Sequence, residues 1–271
     1  MSIMLLNICC FPVLVQAQND QYEAEKIFWE NPDEVYVRNE DIAFTSQDFR
    51  QGKNEGIYFM SRFNEGWILM INLFHIKTNV FNKWGIYILV CEPDGKAYWE
   101  TFEMDPKSVY NDTDRLYLSD GTNTIQGGNA IYYIDLNLKD TKCRLVFNNI
   151  LDSWKAGDGI DYLSMDRKNY MIRILSSPWA DVSGTLTLKG RVIDVKGQGY
   201  GEKSLIISPL TKQNPYLHAF RVFSDNSLPR EKRWFVGLLT HRVRTASEPC
   251  IYRGSMWRME INGFSPPTTT P

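Results

Sequence analysis

Read as apolar and polar positions, the chain from residue 27 onward is a succession of short strands. The runs GIYFMSRF (56–63), GWILMINLFHIK (66–77), KWGIYILVCE (83–92) and KAYWETFEM (96–104) are separated by turn-type pieces such as Asn64-Glu65-Gly66 and Pro93-Asp94-Gly95, which predicts a meander. In NAIYYIDLNLK (129–139) the alternation is clean: Tyr132, Ile134, Leu136 and Leu138 share one face, and Asp135, Asn137 and Lys139 the other. One face of that strand is expected to be wet. The runs KCRLVFNNI (142–150), NYMIRILS (169–176), GTLTLKGRVIDVKG (184–197), SLIISPL (204–210), LHAFRVFS (217–224), RWFVGLLTHRV (233–243) and MWRMEI (256–261) continue the series. No window carries a helical stripe of useful length.

Many short strands at this spacing predict an all-β sandwich or an up-and-down antiparallel barrel. The runs WILMINLF and WGIYILV are apolar on both faces, so their outer face must be covered too, by a second sheet or a partner. Eight Trp, fourteen Tyr and fourteen Phe supply enough aromatic surface to line a pocket, which favours a barrel with room for a lipid-like ligand. Six side chains on these strands are the candidates for ligand contact: Trp67, Trp84, Tyr87, Trp99, Tyr133 and Phe147. The plainer alternative is that they are core.

Composition narrows the classes. A chain of 271 residues with 43% hydrophobic content holds one large or two modest domains. The net charge is −2 and Lys and Arg are scattered, so no nucleic-acid partner is expected. Residues 1–17 read as a signal peptide, with an apolar run from Ile3 to Val15 and a small-residue site at Val15-Gln16-Ala17; the alternative is a membrane-touching or buried segment. The first reading implies the secretory pathway or the extracellular space. The second implies a cytoplasmic protein with peripheral membrane association. Cys9 and Cys10 would leave with the signal, and Cys91, Cys143 and Cys250 are too far apart to deduce a disulfide or a zinc motif. Asn111-Asp112-Thr113 is a glycosylation acceptor in what reads as a polar loop.

Chemistry-bearing motifs are sparse. Gly197, Gly199 and Gly201 follow the strand RVIDV like a dinucleotide fingerprint, but the next run, SLIIS, is β-branched and stops at Pro209. Without a helix there is no phosphate site, and glycines between strands imply a bulge or a close backbone approach. The three histidines, His75, His218 and His241, lie on different strands with no nucleophile or metal-ligand spacing around them. Asp158, Asp161 and Asp166 lack the EF-hand pattern and read as a solvated loop. No catalytic residue, metal or cofactor is expected.

The segments W-A-D-V-S-G-T-L, R-V-I-D-V-K-G-Q-G-Y and S-P-L-T-K-Q-N-P-Y-L-H-A-F-R-V-F resemble the survival factor 1-like family, as do W-I-L-M-I-N-L-F-H-I-K and P-D-G-K-A-Y-W-E-T-F-E-M-D upstream. The resemblance covers about residues 50 to 245. It implies a lipocalin-like (calycin) double barrel, ceramide or other sphingolipid carriage and a link to oxidative stress. The wider superfamily includes carotenoid 1,2-hydratases and Diels–Alder-type cyclases, so an isomerase, cyclase or hydratase is the rival, and a non-catalytic interaction protein a third class. Where the hydratase branch carries His-Asp-His-Asn-Trp after its Gly-Tyr, this chain reads Gly201-Glu202-Lys203, which lacks that acid/base set. Fewer than fifty residues follow LHAFRVFS, so the expected organisation is a lipocalin-like N-terminal barrel at 27–210, C-terminal strands or a truncated second barrel at 211–262, and a disordered tail at 263–271.

Overall fold

The structure, a computed structural model, describes residues 36–50, 52–155, 159–162 and 167–208, and, at backbone level, strands 217–223, 234–243, 251–260 and 263–265. The expected signal peptide, Asp158, Asp166 and Cys250 lie outside the described residues. The only helix among them is one turn, α1 (Asn39–Ile42).

Alternation translates into an antiparallel meander: β1 (Lys53–Phe63), β2 (Ile68–Lys77), β3 (Asn82–Cys91) and β4 (Ala97–Met104). Three short strands the apolar pattern does not announce follow, β5 (Tyr110–Asp112), β6 (Leu116–Ser119) and β7 (Thr124–Gly127), then β8 (Ile131–Asn137), β9 (Thr141–Asn149) and β10 (Ile160–Tyr162). Two long strands, β11 (Tyr170–Leu188) and β12 (Arg191–Ile207), complete the first sheet. Its order is β4-β3-β2-β1-β12-β11-β9-β8-β7-β6-β5, with β10 added to β11, and it curls into a half-barrel. A second antiparallel sheet runs β13 (Leu217–Phe223), β14 (Trp234–Val243), β15 (Ile251–Glu260) and β16 (Gly263–Ser265). Strand β16 takes up the first three residues of the stretch expected as a tail.

The stretch 184–197, expected as one strand, is a hairpin. Lys189 (φ 50°) and Gly190 (φ 83°) form a two-residue turn, the left-handed geometry that matches strand twist. Conversely, β11 continues through Pro178, where its pairing to β12 shifts register between Ile174, Ser177 and Ala180. The irregularity tolerates a residue that cannot donate to the ladder.

Inward-facing positions are set by the period of two. Ile57, Phe59 and Phe63 of β1, Leu69, Ile71 and Leu73 of β2, and Ile86, Ile88 and Val90 of β3 are buried in one cluster with Tyr132, Ile134 and Leu136 of β8 and Phe147 of β9. Its centre is aromatic, Phe59 packing on Phe147 at 5.0 Å and on Tyr132 at 5.4 Å. The glycines of β12 make this possible by close approach. A Cβ on Gly199 would stand 2.5 Å from both Phe147 and Val182, and one on Gly197 would stand 2.2 Å from the Arg62 carbonyl. That is the close backbone approach expected of Gly197 and Gly199.

Strand direction gives the half-barrel two ends. The turns at 64–67, 92–96, 138–140 and 189–190 gather at one, the hairpin end. The other holds the start of β1, the end of β12 and the β2–β3 turn, and is crossed by residues 36–45, the strap.

Candidate functional site

Charged residues have a place in a strand when their alternate positions face water, yet three at the strap end point inward. Lys53 and Glu55 take the first inward positions of β1, and Lys203, opposite Ile57, takes the matching one on β12. All three are buried. The Glu55 carboxylate receives Lys203 Nζ at 3.0 Å and Lys53 Nζ at 3.7 Å, and the Thr45 N–H donates to both its oxygens at 3.0 and 3.1 Å. Burial lowers the Lys53 pKa from its usual 10.5, against the pull of Glu55.

The remaining bonds of both ammonium groups go to the strap's backbone. Lys53 donates to the Thr45 carbonyl, and Lys203 to the carbonyls of Asp41, at 3.1 Å, and Ala43. Three further side chains hold the same segment. Asn129 donates to the Val37 carbonyl at 2.7 Å, Asn111 of β5 to the Phe44 carbonyl at 3.0 Å, and Lys155 pairs with the Asp41 carboxylate at 3.1 Å. Asn111 therefore stands in a strand rather than a loop, and the nitrogen a glycan would occupy is bonded to the strap.

Between these latches the strap is apolar. Val37, Ile42, Ala43 and Phe44 are buried, and Phe44 lies 5.2 Å from Trp84. Trp84 also stacks on His75, at 3.8 Å and 9°. His75 Nε2 meets Asn82 Oδ1 at 2.7 Å, so that nitrogen carries the proton and Nδ1 is a bare acceptor, buried without a partner. Burial first, then the charges of Lys53 and Lys77, lowers the His75 pKa to about 4 although the Asn82 bond opposes the shift; the ring is neutral at physiological pH. In the β1–β2 ladder His75 stands directly opposite Glu55.

The six aromatic candidates separate by parity. Trp84 lies in this site, Phe147 is core, and Trp67 is buried at the hairpin end beneath the Arg191 guanidinium at 4.8 Å. Tyr87 is half-buried on the outer face of β3, and Trp99 (78% exposed) and Tyr133 (45% exposed) point to solvent. What the strand pattern did not single out is the charged trio. Lys and Glu in a strand read as its wet face, and only register and the strap show that these point inward.

A second polar cluster lies where β11 changes register. The Ser176 carbonyl accepts from Tyr132 OH at 2.8 Å, Asn149 Nδ2 at 3.1 Å and Ser153 Oγ at 2.6 Å, and Ser177 Oγ donates to Asn149 at 2.6 Å. These bonds satisfy the backbone the bulge releases, a structural task. On the outer face a shallow groove of about 420 Å³ runs over Asn148, Asp181 and Gln198, adjacent in register on β9, β11 and β12. Cys91 and Cys143 are free thiols, and burial raises the Cys143 pKa to about 12.

No family model matches the sequence, and no curated protein does. Solved structures do. An AttH-type protein of Nitrosomonas europaea superposes with a TM-score of 0.60 at 11% identity, over 83% of this chain and 70% of that one. CghA in complex with Sch210972 gives 0.54 at 9% identity, and CghA alone 0.52 at 8%, each over 84% of this chain and 67% of CghA. At such identities the likeness is one of fold, and the chain has the lipocalin-like all-β fold expected of it.

Proposed function

We propose that this chain binds and carries an apolar, lipid-like molecule, with the strapped end of the half-barrel as the point of entry. The observation that carries the reading is the strap. Its apolar side chains fill the end of the barrel against Trp84, yet among the described residues its hold on the sheet comes from side chains and one isolated bridge, Tyr36 to Trp154, rather than a ladder. It can leave without unpairing a strand. An acyl chain taking its place would gain about 0.8 kcal/mol per buried methylene, enough to compete with four apolar side chains. A binding role suits the fold, since CghA was solved with Sch210972. The family resemblance would make that molecule a sphingolipid such as ceramide, with a link to oxidative stress, and the N-terminal run would place the carrier in the secretory pathway or, on its alternative reading, in the cytoplasm with peripheral membrane contact.

Native mass spectrometry with lipid extraction on the undenatured protein tests it. A co-purifying or added acyl lipid at near one-to-one ratio is the expected result; a protein that arrives empty and refuses added lipids overturns the carrier reading.

One observation favours an enzyme of isomerase, cyclase or hydratase type instead. Glu55 and His75 are inward neighbours in one ladder, and Nδ1 of a neutral imidazole is a proton acceptor. The two readings part on the fate of the ligand. A carrier returns it with unchanged mass and retention time after incubation, whereas a hydratase adds 18 mass units by the addition of water, about the mass of one H2O, and an isomerase or cyclase shifts retention alone.

A further inference from the structure

We infer that the ligand of the strapped site is an anionic amphiphile, an apolar chain ending in a carboxylate, and that the strap occupies its place by imitating it. The inference rests on the carrier reading above and adds the ligand's charge and its site. Two features of the strap match such a molecule. Its oxygens, the carbonyls of Asp41, Ala43 and Thr45, converge on Lys203 and Lys53, as the oxygens of an acid group would. Its side chains Ile42 and Phe44 continue from those oxygens into the apolar interior beside Trp84, as an acyl chain would.

The charge left behind selects the ligand. With the strap in place, Lys53, Lys203 and Lys155 are matched by Glu55, the Asp41 carboxylate and three carbonyl dipoles. When the strap leaves it takes Asp41 and the carbonyls: Lys53 and Lys203 are left facing the single carboxylate of Glu55, and Lys155 loses the Asp41 carboxylate. The rim does not offset this, because Lys77 and Asp48 neutralise each other at 2.7 Å. In a buried site with surplus positive charge an incoming anion satisfies the hydrogen bonds and compensates the charge, whereas an alcohol, ester or amide does only the first. Ceramide, whose head group is uncharged, could offer the lysines amide and hydroxyl oxygens but would leave their surplus charge uncompensated.

The test compares dodecanoate with 1-dodecanol, equal in chain length and different in head-group charge, by calorimetry on the full chain. In parallel, hydrogen exchange follows the Thr45 amide, which now donates to Glu55. Dodecanoate is expected to bind at least tenfold more tightly than dodecanol and to speed exchange at Thr45 as the strap is displaced. Equal affinities overturn the anionic assignment and leave the carrier reading standing, whereas no binding of either removes both. Tight dodecanoate binding with Thr45 still protected overturns the site, because the ligand then sits elsewhere. A variant sharpens the point: Phe44→Ala keeps every lysine contact but empties the apolar part of the strap, so dodecanoate affinity should rise about tenfold. An unchanged or weaker affinity would show that strap and ligand do not compete.

Discussion

At the hairpin end closure is local. Each turn is tied by its own backbone bonds, Gly66 to Phe63, Glu92 to Lys96 and Leu138 to Thr141, and the hairpins lean on one another through Asn64 and Lys196 and through Lys189 and Asp140, each at 2.8 Å. Its charges are shared with water: Arg191 reaches Glu92 at 2.6 Å across the surface, and Lys189 lies over Tyr98 at 4.3 Å. At the strap end closure comes from a segment outside the sheet, held by latches from β1, β5, β12 and two loops, with charges removed from water. A closure built into hairpins opens only if the sheet unfolds. One made of side-chain latches opens alone, and in this molecule it is the one that covers ionisable groups.

The sharpest break of that contrast is Glu55→Gln. It leaves Lys53 and Lys203 buried without a counter-charge, and losing one member of a buried ionic cluster destabilises by about 3–5 kcal/mol. The matching change at the other end is Glu100→Gln. Glu100 is half-buried and accepts the backbone N–H groups of Lys139, Asp140 and Thr141, joining β4 to the β8–β9 turn. Its amide keeps one acceptor oxygen, so the expected loss is about 1–2 kcal/mol. Urea unfolding of both variants decides, and equal losses would erase the distinction between the two ends.

Acid separates the ends next. The His75 pKa is lowered from 6.5 unfolded to about 4 folded, so between those values the unfolded chain binds more protons and stability rises with pH. The contribution is complete above pH 6.5 and lost as pH falls toward 4, about 3 kcal/mol over the window. His75→Phe keeps a ring on Trp84 and removes the titration, so its stability relative to wild type should improve steadily from pH 6.5 to 4. A constant difference between the two proteins would mean that His75 does not titrate differently on folding.

How far the sequence was legible follows the same division. The meander from β1 to β4, the alternation of β8 and the structural role of the β12 glycines were readable because each is a local pattern of period two or of missing side chains. The Lys189-Gly190 hairpin was not, because a lysine at φ 50° lacks the asparagine or glycine that usually marks such a turn. Strands β5 to β7 were missed because three or four residues carry too little periodicity. The strap site was the least legible. Its parts come from residues 37 to 203, and Lys53, Glu55 and Lys203 look like any strand's wet face until register turns them inward. Trp99 and Tyr133 drew notice as aromatics, although the alternation that turns Tyr132 inward turns Tyr133 outward.

The gentlest test reaches the strap from its outer side. Asp41 is half-exposed, pairs with Lys155 at 3.1 Å and also accepts the Arg38 N–H at 2.9 Å. Asp41→Asn removes the charge, keeps an acceptor for Arg38 and leaves the Lys203 bond to the Asp41 carbonyl in place. Partial solvation makes such a pair weak, so the global unfolding midpoint should move by less than about 1 kcal/mol equivalent. Local opening should respond differently, because the strap has few latches and this is one of them. The Thr45 amide, next to Glu55, should exchange severalfold faster, while amides in the middle of β1 and β2 keep their rates. Uniform acceleration across the strap and sheet would mean that the strap is part of the barrel's cooperative unit and opens only when the sheet does, and the contrast between the two ends would fall with it.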